Sequence, residues 1–419
     1  MTHSVAGAPR PRFGLFAQVL TISLLNGIAV NAFRPMVTYR ALQLGAGPFE
    51  IGLLASSYAA LSLFGALLIG RWTDRFGPAR FVIAGALLVG VSAISAIWID
   101  SIVGLAIGQA LVGLGQIMNL VSSQTLVANQ SAREERDERF GLYAMVASGG
   151  QLIGPGVAGF IAGGTSSASG VTSTSLTPVF IFAFSVAAVS LLLSLRLVAP
   201  RQPTGRWTGA QAPGGHLSAA WRVMGRPSIP QAMLASVAVI LAIDLLVAYL
   251  PAIGEANGLP VELVGILLAT RAAGSMVSRL FMGRLIRRLG RGQVLTGSML
   301  VAGLAIISLP LLTQPIVLLV LMVLLGLGLG LGQPMTIAWI ANRVPRSERG
   351  TAIGVRLTGN RLGQLILPSL MGVLAGAAGL NAMFWTLGGV LGAGAFMVWR
   401  TQFDDPIADA VERSAGATG

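Results

Sequence analysis

Few residues of this chain could carry out acid–base or nucleophilic chemistry. The sequence has no Cys, and its two His residues, His3 and His216, lie in polar segments without other metal-ligating residues beside them. The lack of Cys excludes disulfides, thiolate metal sites and cysteine nucleophiles. Asp244 is the one carboxylate well inside a long apolar run. We therefore expect no enzyme, no bound metal and no cofactor.

Ionisable residues inside long apolar runs are functional candidates by default. Besides Asp244, Arg271 lies near the middle of one run, and Arg361 lies about 15 Å into another at 1.5 Å per residue. The sequence predicts a cavity for a solute and a proton, lined by Asp244, Arg271, Arg361, Asn31, Gln109, Gln116, Asn119 and Gln333. Two interpretations stay open, because a buried Asp244–Arg271 pair could also serve packing alone. Arg34, Arg279 and Arg356 lie nearer run ends, and we expect them to extend to lipid headgroups.

The composition excludes a soluble domain. The chain has 419 residues, of which 54% are hydrophobic and 10% charged, whereas a soluble domain carries about 25% charged residues. The net charge of +13 comes entirely from Arg, which falls in short breaks between apolar runs. Nucleic-acid binding would require a basic surface with interleaved aromatic residues, and the sequence shows none. The expected surroundings are membrane lipids.

The apolar runs predict an all-α integral membrane protein with twelve transmembrane helices. A span needs about 20 apolar residues to cross about 30 Å of hydrocarbon. The predicted spans lie near 14–36, 49–70, 80–98, 102–127, 141–164, 178–198, 229–251, 261–284, 292–311, 315–341, 351–376 and 381–399. The first span follows Arg10 and Arg12, and we interpret it as an uncleaved helix rather than a signal peptide.

Arginine asymmetry between alternate loops predicts the orientation. One side collects most of the loop Arg residues, whereas the other has Arg40 beside Glu50, Asp100, Glu255 and Glu262. Both termini and the linker 199–228 are therefore expected on the cytoplasmic side of a bacterial-type inner membrane.

The two sets of six spans are copies of one another. GRWTDRFG at Gly70 and GRLIRRLG at Gly283 are 213 positions apart, and the Gly-rich segments at Gly141 and Gly354 have the same offset. Parallel six-helix repeats are a transporter architecture with the solute site near the midplane. The predicted organisation is an N-terminal half 1–198, a linker 199–228 and a C-terminal half 229–419 with a short tail.

The loop between spans two and three resembles the signature of the major facilitator superfamily. The matching residues are Gly70, Asp74, Arg75, Gly77 and Arg80. Pro78 and Ala79 replace the basic pair usual in the family. The resemblance covers nearly the whole chain and implies the two-half major facilitator fold.

Span five is similar to the motif that marks the antiporters of this family. The matching residues are Gly141, Gly150, Gly154, Pro155 and Gly159. The resemblance implies proton-coupled efflux of a small organic solute by alternating access. The alternative is proton-coupled uptake of a small organic anion or metabolite, which the Arg-rich interior favours. The family often has Arg where span four has Gln109, so a proton-relay role is not carried over to that position.

Charges in the cytoplasmic loops predict two latches between the halves. In the resembling fold, span two packs on span eleven and span five on span eight. The latch hypothesis pairs Asp74 with the N-terminus of span eleven and with Arg346 or Arg349, and it pairs Glu135 or Glu138 with Arg287 or Arg288. The alternative is that these charges only determine topology. The expected partners are the solute, protons and lipids, with the protein as a monomer, while the solute, the direction of transport and the coupling ion stay open.

Overall fold

The structure, a computed structural model, describes most of the chain. The described residues are 13–131, 135–164, 175–197, 221–226, 228–345 and 348–401, without the side chains of 13, 66, 67, 70, 71, 74, 136, 137 and 350. The predicted linker 199–228 lies almost wholly outside these residues.

Twelve long helices account for nearly all of the described residues. They are α1 (Phe13–Gln43), α2 (Pro48–Phe76), α3 (Pro78–Ser95), α4 (Ile102–Gln130), α5 (Arg136–Gly163), α6 (Thr177–Leu195), α7 (Ile229–Ala256), α8 (Val261–Leu289), α9 (Arg291–Ser308), α10 (Pro315–Asn342) and the run Arg349–Arg400, which Gly379 divides into α11 and α12. Gly379 has φ 86° and ψ 162°, which interrupts the helical backbone. The prediction of an all-helical protein with twelve helices is confirmed.

Most of these helices are suited to a membrane. Of the described helices, ten are long and apolar enough to cross a bilayer when the run on both sides of Gly379 is counted once. Helices α2, α3 and α10 begin at a Pro, and Pro178 is the second residue of α6. Proline suits the first helical position because its missing N–H would have no intrahelical partner there.

The internal repeat predicted from the sequence is visible as repeated contacts. Gly77 ends α2 with φ 90° and donates its N–H to Thr73 O, and Gly290 ends α8 with φ 81° and donates to Ile286 O, both over 2.9 Å. A positive φ of this size favours Gly at both turns. Each pair of equivalent residues is 213 positions apart, so the same turn is built twice.

Close contacts between helices repeat in the same way. A Cβ on Gly115 of α4 would lie 2.7 Å from the carbonyl oxygen of Gly85 on α3. At the equivalent positions, a Cβ on Gly328 of α10 would lie 2.5 Å from the oxygen of Ser298 on α9. Small residues let two helix backbones approach closely, and both halves use this device at the same place.

The chain divides into two compact units, which we describe separately. Of the described residues, unit 1 contains α1–α6 together with Leu245–Ala272 of α7 and α8 and Gln364–Ala377 of α11. Unit 2 contains the remaining parts of α7, α8 and α11 with α9, α10 and α12. This division follows packing, whereas the predicted halves follow the sequence repeat, and the halves stay a prediction.

Candidate functional site

Helices α1 and α4 of unit 1 share a layer of amide side chains. Asn26 on α1 donates from Nδ2 to Oε1 of Gln116 on α4 over 2.7 Å. Asn31 is half-buried one turn further along α1 and donates to the carbonyl oxygen of Gly27 over 2.8 Å. The predicted residue Gln116 therefore lies in the α1–α4 contact, whereas the predicted residue Asn31 lies beside Gly154 of α5.

Two further predicted amides on α4 are buried with unused hydrogen-bonding capacity. Gln109 is 4% exposed and Asn119 is 3% exposed. Within the described residues, Gln109 Oε1 and Asn119 Nδ2 have no hydrogen-bond partner, although Asn119 Oδ1 accepts from Ser123 over 3.4 Å. Buried polar atoms nearly always find a partner in protein or water. These atoms are therefore candidates for contact with water or a solute.

The three charged residues predicted to line the cavity are buried or half-buried. Asp244 of α7 is 5% exposed and belongs to unit 2, whereas Arg271 of α8 is 3% exposed and belongs to unit 1. Arg361 of α11 is half-buried and belongs to unit 2. The proposed pairing of Asp244 with Arg271 stays a prediction.

Arg356 corrects one expectation from the sequence. We expected it to reach the lipid headgroups, but it is 2% exposed and is held inside unit 2. Its Nη2 donates to the carbonyl oxygen and to Oε1 of Gln333, over 3.2 and 2.6 Å, and to Oγ1 of Thr336 over 3.0 Å. The predicted residue Gln333 thus accepts hydrogen bonds from a buried guanidinium, a contact that the sequence analysis did not predict.

The same cluster joins three helices. Gln333 Nε2 of α10 donates to the carbonyl oxygen of Ser236 on α7 over 2.9 Å. The Ser236 hydroxyl donates to Oδ1 of Asn360 on α11 over 3.0 Å, and Asn360 Nδ2 donates to Gln333 Oε1 over 3.4 Å. We call Ser236, Gln333, Thr336, Arg356 and Asn360 the arginine cluster.

Arg34 was also expected near the lipid headgroups, and that prediction is wrong. Helix α1 continues through Pro35 to Gln43, so Arg34 is an interior residue of the helix. It is 9% exposed, and its guanidinium carbon lies 4.0 Å from the ring centroid of Tyr58 on α2. The half-buried Arg279 also bonds inside the protein, donating from Nε to the oxygen of Gly330 over 3.1 Å.

The glycines of α5 that match the motif differ from one another in how closely they pack on neighbouring helices. A Cβ on Gly150 would lie 2.6 Å from the carbonyl carbon of Gly27, and one on Gly154 would lie 2.7 Å from the oxygen of Ile28. These two glycines therefore let α5 pack directly on the α1 backbone. Among the described residues, Gly141 has no such neighbour within 4 Å, so the described packing does not explain its place in the motif.

The motif also reaches α8 within unit 1. A Cβ on Gly159 would lie 2.8 Å from the Cα of Gly265, and one on Gly265 would lie 2.5 Å from the oxygen of Pro155. The Glu262 side chain lies over Gly163, where an added Cβ would overlap it. The backbones of α5 and α8 are thus in direct contact at these glycines.

A second contact of the same kind joins α2 to α11 and α7. Ser56 and Ser369 share a hydrogen bond of 2.8 Å between their hydroxyls, and the Tyr249 hydroxyl donates to the oxygen of Pro48 over 2.7 Å. A Cβ on Gly52 would lie 2.4 Å from the oxygen of Pro368. We call these contacts and the α5–α8 contact the first-loop gate, because they lie toward the end where α1 joins α2.

The residues of the signature loop are described in part. Gly77 forms the turn between α2 and α3, Arg75 lies over the Phe76 ring with 5.2 Å from guanidinium carbon to centroid, and Arg80 is exposed. The side chain of Asp74 lies outside the described part of the structure, and Gly70 is described only as a residue of α2.

The predicted latches are likewise only partly described. Glu135 pairs with Arg139 of its own helix over 2.9 Å, Glu138 is exposed, and Arg349 donates from Nε to the oxygen of Ala341 over 3.0 Å. Arg287 and Arg288 are exposed, and Arg346 lies outside the described residues. Both latches stay predictions.

Sequence reasoning missed the arginine cluster and the Tyr249–Pro48 bond. The four-residue spacing of Arg356, Asn360 and Gln364 could have indicated the cluster, because residues four apart share one helix face. All three side chains are buried. No sequence pattern indicates that a tyrosine of α7 bonds a main-chain carbonyl of α2.

The sequence profile of the Major Facilitator Superfamily matches residues 19–251 and 232–418. These matches cover nearly all of the chain, and the chain belongs to this superfamily. The protein is thus a multi-pass membrane protein of a transporter family and not an enzyme.

Similar proteins agree with this assignment. The chain is 31% identical over 120 residues to Multidrug resistance protein 2 of Bacillus subtilis, covering 27% of this chain and 28% of that protein. It is 27% identical over 150 residues to the class E tetracycline resistance protein of Escherichia coli, covering 34% and 33%. The chain thus matches about a third or less of these two relatives. The crystal structure of a mutant of the nucleoside transporter NupG matches with a TM-score of 0.76 at 14% identity, covering 93% of this chain and 100% of that one, which supports the fold.

Proposed function

We propose that the protein exports a small organic solute in exchange for protons, by alternating access. The observation that carries the proposal is Asp244, which is the one buried carboxylate among the described residues. A carboxylate within an apolar span is expensive and is kept where it serves ion or proton movement. Protonation of Asp244 from one side and release to the other would couple solute movement to the proton gradient.

The solute would contact the polar side chains already described. Gln109 and Asn119 offer buried atoms without a protein partner in the described part of the chain. Arg271 and Arg361 add positive charge on α8 and α11. The proposed pathway therefore accepts a polar solute with hydrogen-bonding groups more readily than a purely hydrophobic one.

The outward direction is supported by two likenesses. Residues Gly141 to Gly159 of α5 resemble the antiporter motif, and the similar proteins include multidrug and tetracycline resistance proteins. We propose that the first-loop gate closes the extracytoplasmic side and that charged loops close the cytoplasmic side, with both termini cytoplasmic in a bacterial-type inner membrane. The moving bodies would be the two repeated halves of one monomer.

Uptake of a small organic anion by proton symport is the second candidate. It is favoured by the excess of buried cations over buried anions. Among the described residues, three Arg side chains are buried (Arg34, Arg271 and Arg356) but only one carboxylate, Asp244. The same fold and the same proton carrier would serve both directions.

An accumulation assay distinguishes the candidates. The chain is expressed in bacterial cells that lack their major exporters, and cell-associated tetracycline and ethidium are followed before and after collapse of the proton gradient. Export predicts low tetracycline until the gradient collapses and no effect on ethidium, because the buried charges do not suit a lipophilic cation. Accumulation above the vector control would favour uptake, and identical traces with and without the protein for a panel of polar drugs and metabolites would oppose both.

A further inference from the structure

The arginine cluster contains a buried cation whose described partners are all neutral. Each hydrogen bond of Arg356 within the described residues comes from Nη2 and ends on a carbonyl, amide or hydroxyl oxygen. The Nε–H of the same guanidinium is buried and, in the described part of the chain, has no acceptor. A buried ionised group normally has a partner of opposite charge, so this guanidinium retains the capacity to bind an anion.

The internal repeat shows that the fold does not require a cation at this position. Arg356 of α11 is 213 positions after Tyr143 of α5. Tyr143 is buried to the same degree, at 3% exposed against 2% for Arg356. Both side chains therefore fill equivalent interior positions, one with a neutral hydroxyl and the other with a charge.

The neighbours of the two side chains are equivalent as well. The Tyr143 hydroxyl lies beside Ser23 and Ser123. The residues 213 positions later are Ser236 and Thr336, both members of the arginine cluster. A neutral tyrosine thus fills this position in the first half, and packing alone does not require the guanidinium at the equivalent position of the second half.

Gln333 marks the place that an anionic oxygen would occupy. Its Oε1 accepts a hydrogen bond from Arg356 Nη2 over 2.6 Å, and a bond from an ionised donor is stronger than one between neutral groups. The amide oxygen is neutral, so a carboxylate oxygen at the same place would bind the guanidinium more strongly. Rotation of the Gln333 side chain would release this position and leave both Nη2 and Nε facing the incoming group.

We propose that Arg356 is the recognition site for an acidic group, a carboxylate or a phosphate, on the transported solute, and that Gln333 occupies this site when it is empty. This inference rests on the proposed transport function and gives it a substrate class, namely organic anions or zwitterions. Arg356 then contacts the solute directly, together with the amide of Asn360, which lies one turn further along the same face of α11.

Matched probes test the proposal in purified protein without any gradient. Thermal stabilisation and binding calorimetry compare benzoate, 1-naphthoate and 4-phenylbenzoate with the corresponding neutral amides. The wild type should bind at least one acid about tenfold or more tightly than its amide, since a hydrogen bond to a charged group discriminates by about that factor. Arg356→Gln and Arg356→Tyr should abolish the difference, and Arg356→Lys should retain part of it.

Gln333→Glu is the decisive second variant. It places an internal carboxylate on the guanidinium, so the protein should stay folded, melt at the same temperature or higher, and lose its preference for acids. Arg356→Tyr introduces the side chain found at the equivalent position of the first half, so this variant is expected to fold. It is therefore a control for loss of binding through misfolding.

The outcomes separate this inference from the proposed function. Equal binding of acids and amides by the wild type would overturn it, as would an acid preference that survives Arg356→Gln or Gln333→Glu. Binding in detergent does not depend on transport direction or proton coupling, so a failed export assay with a retained, Arg356-dependent acid preference would contradict only the proposed function.

Discussion

The hydroxyl of Tyr249 on α7 donates a hydrogen bond to the carbonyl oxygen of Pro48, the first residue of α2, over 2.7 Å. This bond joins a helix of the second repeat to a helix of the first. Tyr39 of α1 is also fully buried near this end, but its hydroxyl has no hydrogen-bond partner among the described residues. If the first-loop gate closes as proposed, the two tyrosines should have opposite effects on its closure.

Tyr249→Phe should open this gate and Tyr39→Phe should close it further. The first change removes a bond worth about 1 kcal/mol, and the second removes a buried hydroxyl whose desolvation costs about 1–3 kcal/mol. The measurement is the labelling rate of a single cysteine at Ala269, which packs against Gly156 in the α5–α8 contact, on the Cys-free background. Shifts of the same sign in both variants would contradict the assignment.

The glycines of α5 should separate gate closure from fold stability. Gly159→Ala places a Cβ against the Gly265 backbone and should favour the open gate, with faster labelling at Ala269. Gly150→Ala places a Cβ against α1 inside the first half and should lower the melting temperature instead. Gly141→Ala is the matched control, because an added Cβ there meets no atom within 4 Å. A Gly159→Ala protein that labels like the Gly141→Ala control would show that the contact does not limit closure.

The sequence predicted the helices and the repeat because both depend on local patterns. Apolar runs located the spans, and the common offset of 213 residues predicted the matching turns at Gly77 and Gly290. It misplaced Arg34 because α1 continues beyond the predicted end at residue 36 to Gln43, and it misplaced Arg356 because a side chain near a helix end can still be buried. The partners that keep these guanidinium groups buried, the Tyr58 ring and the Gln333 amide, are distant in sequence and leave no periodic signal.

Arg271 and Arg361 give a test of solute contact that is separate from the test on Arg356. We predict that at least one of them contacts the solute, so Arg→Lys should already weaken transport if the contact uses the two-pronged guanidinium geometry. The measurement is solute affinity in counterflow for the Arg271→Gln and Arg361→Gln variants. Wild-type affinity in both would assign these residues a structural role.

The cytoplasmic charges give a reversal test. Asp74→Arg should weaken the predicted contact with α11 and shift the population toward the inward-facing state, because several surface pairs of about 0–1 kcal/mol each can bias two conformers. Adding Arg346→Asp and Arg349→Asp should restore part of the original distribution, read by cysteine accessibility. If the single reversal causes no shift, or the opposite reversal gives no rescue, these charges determine only topology.

Solute-driven proton movement by proteoliposomes tests the central claim most directly. Liposomes with an enclosed pH-sensitive dye receive a solute that the accumulation assay has shown to be exported, and the internal pH is recorded for the wild type and for Asp244→Asn. The account predicts a solute-dependent pH change in the wild type, none in Asp244→Asn, and retained exchange of labelled solute in both, since the variant lacks only the group that carries the proton. A solute-driven pH change of wild-type size in Asp244→Asn would contradict the account.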